Sequence, residues 1–268
     1  MIRISPDYRS DSPLVQMRGI VKDFGAVRAL RGADLNLWPS EVLGLVGDNA
    51  AGKSTLMKIL TGVHRPDSGQ LVFDGKPVAF NSPQDSRALG IEMIYQNLAL
   101  AQNLDVVANV FLGREHMRTV IPGLFGRLDE ARMERDTRNL LDRLRINIAS
   151  VRTNVERMSG GQQQAVAIVR AVAFKARVVI MDEPTASLAV KEVGKVLDLV
   201  RQLRESGVSV ILISHRLQDV FTVCDRVMVL RSGERVAERT IKDITMDETV
   251  KYIVGAEAGN LSIIASGV

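Results

Sequence analysis

One cysteine, Cys224, stands in 268 residues. A single thiol excludes an internal disulfide framework and cysteine-rich metal sites, and it suits a reducing compartment. Histidine is nearly as scarce. His64, His116 and His215 are too few and too scattered for a metal cluster. Aromatic residues make up 4% of the chain. That is thin for the stacking platforms that hold single-stranded nucleic acid, and for a protein that grips sugars on aromatic faces. Charge of one sign is also lacking: 35 Lys and Arg oppose 31 Asp and Glu, and the net +4 is spread without a basic block. A solvated surface explains that balance, so no nucleic acid is expected as a partner. Uncharged stretches reach only about a dozen residues, as in Met93–Leu104. A membrane-spanning helix needs roughly 20 apolar residues, and none is expected. The start, Met1-Ile2-Arg3-Ile4-Ser5-Pro6-Asp7, carries no apolar run of the signal-peptide kind. These absences predict a soluble cytoplasmic globule.

What is present suits a packed core. Apolar residues are 46% and charged residues 25% of the chain, close to the globular average, which excludes a disordered, collagenous or coiled-coil chain. The length fits one large domain or two small ones. Leu14–Phe24 and Val27–Trp38 read as strands, and Glu41–Val46 is an apolar strand ending on Gly47, with a helix expected from Lys53 to about Leu60. Leu71–Phe73 and Pro77–Phe80 flank Asp74-Gly75 as a hairpin. The middle turns helical over Leu128–Leu144 and Gly160–Phe174. Strand and helix then alternate: Val178–Met181, an amphipathic Val190–Leu203, Val208–Ser214, a short helix near Arg216–Val223, and Val227–Leu230. Buried strands alternating with amphipathic helices predict an α/β fold with a parallel sheet covered on both faces. An antiparallel β region lies in front, and a helical insert near 97–175.

Gly47-Asp48-Asn49-Ala50-Ala51-Gly52-Lys53-Ser54-Thr55 follows the apolar strand and opens the helix. This is the spacing of a phosphate loop. Small residues let the backbone curl so that N–H groups point inward, and the helix adds the positive end of its dipole. Lys53 supplies a point charge for β- and γ-phosphates, and the Ser54 hydroxyl is placed to ligate Mg²⁺. A dinucleotide-binding G-x-G-x-x-G is absent after the same strand. The site also needs a carboxylate strand. Val178-Val179-Ile180-Met181-Asp182-Glu183 provides one, with Asp182 at the strand's carboxyl end to hold the metal through water. Glu183 is then free to act as general base on an attacking water. Adjacent acids after a strand are commonly a solvated turn; beside a phosphate loop they complete an ATP-hydrolysing site.

Met158-Ser159-Gly160-Gly161-Gln162-Gln163-Gln164 lies about 20 residues before Asp182. Alone it reads as a helix cap or an anion-binding helix start. In a phosphate-loop protein it resembles the signature motif of the ABC ATPases, with Met158 where leucine is usual. Gln96, after Ile91-Glu92-Met93-Ile94-Tyr95, resembles the Q-loop glutamine, and His215, after Val210–Ser214, the switch histidine. Phe24, 23 residues before Gly47, resembles the aromatic that stacks on adenine; a plain core phenylalanine is the other reading. The resemblance spans Leu14 to Ile253. It implies a P-loop fold of the ABC type over 14–255, with an antiparallel subdomain, a helical subdomain near 97–175, an extension over 1–13 and a tail over 256–268. Two residues depart from the family pattern. Ala50 stands where glycine is common and stiffens the loop, and Ala189 replaces the usual D-loop aspartate, which puts the coupling between sites in doubt.

The resemblance further implies a head-to-tail homodimer sandwiching two ATP. Ser159, Gly160, Gly161 and Gln162 would meet the nucleotide of the other copy, with Ser159 and Gly161 at its γ-phosphate. Glu183 would activate water, while Gln96, which also reaches the metal, and His215 would sense the γ-phosphate. The segments Tyr95-Gln96-Asn97-Leu98-Ala99-Leu100 and Asn109-Val110-Phe111-Leu112-Gly113-Arg114-Glu115 look like those of bacterial monosaccharide importers of the ribose, xylose and fructose kind. The partners so implied are polytopic permease subunits and, indirectly, a periplasmic sugar-binding protein. The place so implied is the cytoplasmic face of the inner membrane. An importer ATPase for another small solute, or a soluble ATPase such as that of iron–sulfur cluster assembly, are the alternatives.

Overall fold

The computed structural model describes residues 12–121 and 125–255. The expected extension therefore lies outside the described residues except for Ser12 and Pro13, and the tail over 256–268 lies outside them altogether. Along the chain come β1 (Val15–Phe24), β2 (Val27–Leu37), β3 (Val42–Val46), α1 (Lys53–Leu60), β4 (Ser68–Phe73), β5 (Lys76–Val78), α2 (Pro83–Ala88), β6 (Ile91–Ile94) and α3 (Val106–Phe111). They are followed by β7 (Met117–Ile121), β8 (Phe125–Leu128), α4 (Glu130–Arg143), α5 (Gly160–Val172), β9 (Val178–Asp182), α6 (Val190–Glu205) and β10 (Ser209–Ile213). The described chain closes with α7 (Leu217–Val223), β11 (Arg226–Arg231), β12 (Glu234–Thr240) and α8 (Met246–Val254).

A six-stranded sheet in the order β12-β11-β3-β10-β9-β6 carries the site. Its pairs are parallel except β11 with β12. Successive side chains on a strand face opposite sides, and the burial follows that period. Val42, Val46, Val179, Met181, Val210 and Leu212 join one core with residues of α3 to α7. Leu43, Leu45, Val178, Ile180, Ile211 and Ile213 join the other with α1 and the second sheet. That second sheet, β2-β1-β4-β5, is antiparallel throughout. Both faces are thus covered, which explains why the central strands read as unbroken apolar runs.

The expected hairpin is β4–β5, turned by Asp74 and Gly75, both at positive φ. One expectation changes. The insert near 97–175 is not helical throughout: β7 and β8 pair antiparallel inside it. At the amino ends of the sheet strands, buried Arg226 is paired with Glu41 and Glu238 and lies 4.3 Å over the Trp38 ring. Burial pushes the Glu41 carboxyl above its usual range, and the Arg226 charge opposes that rise.

Candidate functional site

The site gathers at the carboxyl ends of β3, β9, β10 and β6, where open α/β sheets bind ligands. Register puts them side by side: Ile213 pairs with both Leu45 and Asp182, and Ile94 pairs with Met181. Gly47 leaves β3 at φ 153 and Gly52 enters α1 at φ 101. A Cβ at Gly47 would stand 2.1 Å from the Leu230 carbonyl oxygen, and one at Gly52 would stand 2.8 Å from that of Ala29. Only glycine fits either position. Ala50, by contrast, holds φ 63 with a side chain in place. Asp48, Asn49 and Ala50 are exposed. The loop is also tied from behind, since Gly233 N donates to Ala51 O at 3.0 Å and Arg31 N donates to Gly233 O at 2.9 Å.

Lys53 Nζ donates to the carbonyls of Gly47 (2.7 Å) and Asp48 (3.0 Å), so the ammonium closes the loop on itself. Asn49 N donates to the Asp48 carboxylate at 2.7 Å. Burial lowers the Lys53 pKa, and Glu183, Asp182 and Asp48 oppose the fall. Asp182 is pushed up, first by burial and then by the Glu183 charge, with Lys53 pulling the other way. Ser54 is the second residue of α1 and exposed, while Thr55 is half-buried. Among the described residues no group of three or more His, Cys, Asp or Glu is arranged to hold a metal. A hydroxyl and a carboxylate such as Ser54 and Asp182 are instead the sparse oxygen donors that suit Mg²⁺ shared with phosphates.

Glu183 adopts φ 51, and its own N–H donates to Ile213 O at 2.9 Å. Its carboxylate accepts from the His215 main-chain N–H at 3.0 Å, and His215 Nδ1 lies 2.8 Å from Oε2. The two residues expected at the reaction's centre are therefore in contact. Gln96 is exposed two residues past Ile94. The segment after it is held by Arg170 of α5, which donates to Leu98 O and Ala99 O at 2.7 Å each. Phe24 ends β1 with 44% exposure, and its ring meets His64 edge-on at 5.2 Å. Lys22 Nζ lies 5.6 Å from the Phe24 ring centroid.

Ser159 caps α5 in a reciprocal capping box with Gln162. Among the described residues no hydrogen bond or ion pair joins Ser159–Gln162 to the phosphate loop of the same chain. The structure brings the loop, Asp182, Glu183 and His215 to the carboxyl ends of the sheet strands, and it leaves the signature segment apart. The sequence reading missed three connections. Thr185 Oγ1 donates to buried Asp219 at 2.5 Å, which ties the turn after Glu183 to α7. Arg170 anchors the segment after Gln96. Glu192 packs on the start of α5. The acidic residue in the first turn of α6 was the one visible signal for the last.

The family model described as "ABC transporter" matches residues 30–186. The chain belongs to the ABC transporter family. Within the match lie Gly47–Thr55, Gln96, Ser159–Gln162, Asp182 and Glu183; Phe24 and His215 fall outside it. This ABC protein is 44% identical to the fructose import ATP-binding protein FrcA of Rhizobium meliloti, over 96% of this chain and 100% of that one. It is 43% identical to the xylose/arabinose import ATP-binding protein XylG of Sulfolobus acidocaldarius, over 94% and 98%. It is 42% identical to a ribose import ATP-binding protein of Streptomyces avermitilis over 96% of this chain, and spans 50% of that relative's length. Among solved structures, a nucleotide-free ATP-binding cassette from an ABC transporter superposes with a TM-score of 0.76 at 25% identity, covering 96% of this chain and all of that one. The ADP conformation of another such cassette gives 0.78 at 26% identity, covering 91% and 99%. The fold is that of an ABC ATPase, α/β with a mostly parallel sheet beside an antiparallel one.

Proposed function

We infer that this chain is the ATP-binding and ATP-hydrolysing subunit of an importer for a simple sugar, of the fructose, xylose or ribose kind. The match to the fructose import ATP-binding protein over 96% of this chain and all of that one carries the reading. The chemistry at the sheet ends supports it. Gly47–Thr55 binds the phosphates of ATP, with Lys53 leaving the Gly47 and Asp48 carbonyls for the β- and γ-oxygens. Ser54 and Asp182 would hold Mg²⁺, with Gln96 in reach, and the ion would supply positive charge against those oxygens. Glu183 accepts a proton from the attacking water, and His215, already 2.8 Å from its carboxylate, orients it and senses the γ-phosphate. Phe24 stacks on the base.

Ser159–Gln162 lies away from the phosphate loop of its own chain, so a second copy in head-to-tail contact supplies it to the shared nucleotide. Among the described residues no helix is long and apolar enough to cross a membrane. A polytopic permease would therefore hold the subunit at the cytoplasmic face. A cleft of about 230 Å³ lined by Arg87, Glu92, Tyr95, Leu112, Arg114 and Phe174 is the proposed seat of that permease. It adjoins the segment that Arg170 anchors, so a push there reaches Gln96. A periplasmic sugar-binding protein acts on the far side of the permease.

Two measurements test the reading. Glu183→Gln is expected to bind ATP, lose turnover by at least about 10²-fold, the lower end of general-base effects, and accumulate as a dimer with ATP. Hydrolysis by that variant near the wild-type rate removes Glu183 from its role. Tagged protein drawn from detergent-solubilised native membranes is expected to bring a polytopic permease with it, and its ATPase rate to rise with sugar-loaded binding protein. Recovery of soluble scaffold proteins alone defeats the importer.

A further inference from the structure

Asp219 is a buried carboxylate that the chemistry above does not use. Its partner is Thr185, also buried, whose hydroxyl donates to Asp219 Oδ2 at 2.5 Å. That is the short, charge-assisted class of hydrogen bond, about twice as strong as a neutral one. Arg216, next to His215, leans on both residues. Its Nε lies 3.6 Å from Asp219 Oδ2, and its Nη1 donates to the Thr185 carbonyl at 3.5 Å. A carboxylate inside a protein costs free energy unless it is paired and hydrogen-bonded. Here the pairing ties two separate turns to each other.

The two turns are those that carry Glu183 and His215. Thr185 stands two residues past Glu183, with Pro184 between, and Asp219 stands four residues past His215. β9 and β10 pair as far as Asp182 and Ile213. Beyond that pair the strand ends are bridged by side chains twice: the His215 main-chain N–H meets the Glu183 carboxylate at 3.0 Å, and Thr185 meets Asp219. Glu183 needs the second bridge. It holds φ 51, a left-handed conformation that side chains rarely adopt, and it precedes a proline, which favours extended backbone instead. Such a conformation persists only where its surroundings over-determine it. Pro184 has its own φ fixed by its ring, so it carries the position of Thr185 back to Glu183 as a stiff link. We propose that Asp219 is a positioning residue for hydrolysis: by holding Thr185 against the His215–Arg216 turn, it keeps Glu183 left-handed and its carboxylate aimed at the attacking water. This rests on Glu183 as the general base in the reading above. Asp219 acts through Thr185 and Pro184 and takes no proton itself. Without the bridge the turn relaxes and the carboxylate leaves its line, while the phosphate loop, at the end of β3, keeps its hold on ATP. The loss falls on turnover and not on binding.

The test compares Thr185→Val, which removes the hydroxyl, Thr185→Ser, which keeps it, Asp219→Ala, and Val with Ala combined. ATPase rates against ATP concentration give kcat and KM. In Thr185→Val and in Asp219→Ala, kcat is expected to fall about 10²-fold, the cost of a group misplaced by about 1 Å, with KM unchanged. Thr185→Ser is expected to restore most of the rate. The double variant is expected to be no slower than the slower single one, since both changes break one bond. The deciding measurement is made with Glu183→Gln present. Adding Thr185→Val or Asp219→Ala is expected to leave the residual rate of that variant where it is, because no base remains to be aimed. A further fall by the same factor overturns the inference, since the pair would then support the site as a whole. A KM that rises while kcat holds overturns it too, as does a folded variant with the wild-type kcat or losses that multiply in the double variant. Near-wild-type hydrolysis by Glu183→Gln alone defeats the general-base reading instead. Unfolding midpoints show that each variant is folded at the assay temperature. If Thr185→Val does not fold, Thr185→Ala replaces it with the same expectations, because a water in the space left can satisfy Asp219 without holding the turn.

Discussion

Ala50 is the residue at which this chain departs from its family inside the site, and the backbone records the consequence. At φ 63 a Cβ costs roughly 1–2 kcal/mol, and the loop bears it because its neighbours are fixed by Gly233, Lys53 and Asp48. Sequence alone had registered a stiffer loop here; the strain needed the dihedral. Replacing Ala50 by glycine relieves the clash and gives back part of the gain as unfolded-chain entropy. The expected result is a net stabilisation of about 0.5–1 kcal/mol, read as a higher midpoint in urea with an unchanged slope. A lower midpoint would mean that Ala50 makes a contact worth more than its strain. Glu183 shares the left-handed region at φ 51, and there the His215 main-chain N–H holds its carboxylate. Strain of this kind clusters where a side chain has to be aimed.

Elements with a strong period were legible and short, capped ones were not. The helix expected from Lys53 to about Leu60 is α1, because Gly52 starts it and apolar Leu56, Met57, Ile59 and Leu60 face the core. Among the elements that passed unread are two helices and a strand pair. α2 carries Ser82, Pro83 and Asp85 and α8 carries Thr245 and Glu248 as complete capping boxes, but α2 is only six residues long and α8 has no phosphate loop ahead of it to mark its start. β7 and β8 flank Pro122-Gly123, a turn signal hidden in a segment read as helical. Contacts between elements were beyond the sequence altogether, and Arg170 is the clearest case. Its burial among apolar residues of α5 gave no hint that both forks of the guanidinium hold the carbonyls of Leu98 and Ala99. Arg170→Lys keeps the charge and loses the fork. We expect a loss of about 1–3 kcal/mol in stability and faster amide exchange over 97–101, with nucleotide binding retained. Unchanged exchange there would show that Arg170 does not anchor the segment.

Across the whole molecule, two cores meet on one sheet, and its carboxyl ends collect charge that the free chain does not balance. Asp182 and Glu183 stand side by side, and Lys53, the cation that acts most strongly on Asp182, donates to carbonyls. Because the folded pKa of Asp182 is raised by burial and by Glu183, its contribution to stability is complete below the unfolded carboxyl value and is lost as pH rises through the raised one. At neutral pH the ionised Asp182 therefore works against the fold, and nucleotide with Mg²⁺ removes that opposition. Asp182→Asn should melt higher than the parent in the ligand-free state at pH 7, with the difference shrinking as pH is lowered toward 4. ATP with Mg²⁺ at about 100 times its Kd should raise the parent by roughly 2.7 kcal/mol, or about 5–10 °C for a chain of this size. The Asn variant should gain less from Mg²⁺ over a chelator than the parent does. A ligand-free Asn variant that melts lower than the parent at pH 7 would place Asp182 in a stabilising network of the fold, and the charge at the sheet ends would then need another source of balance.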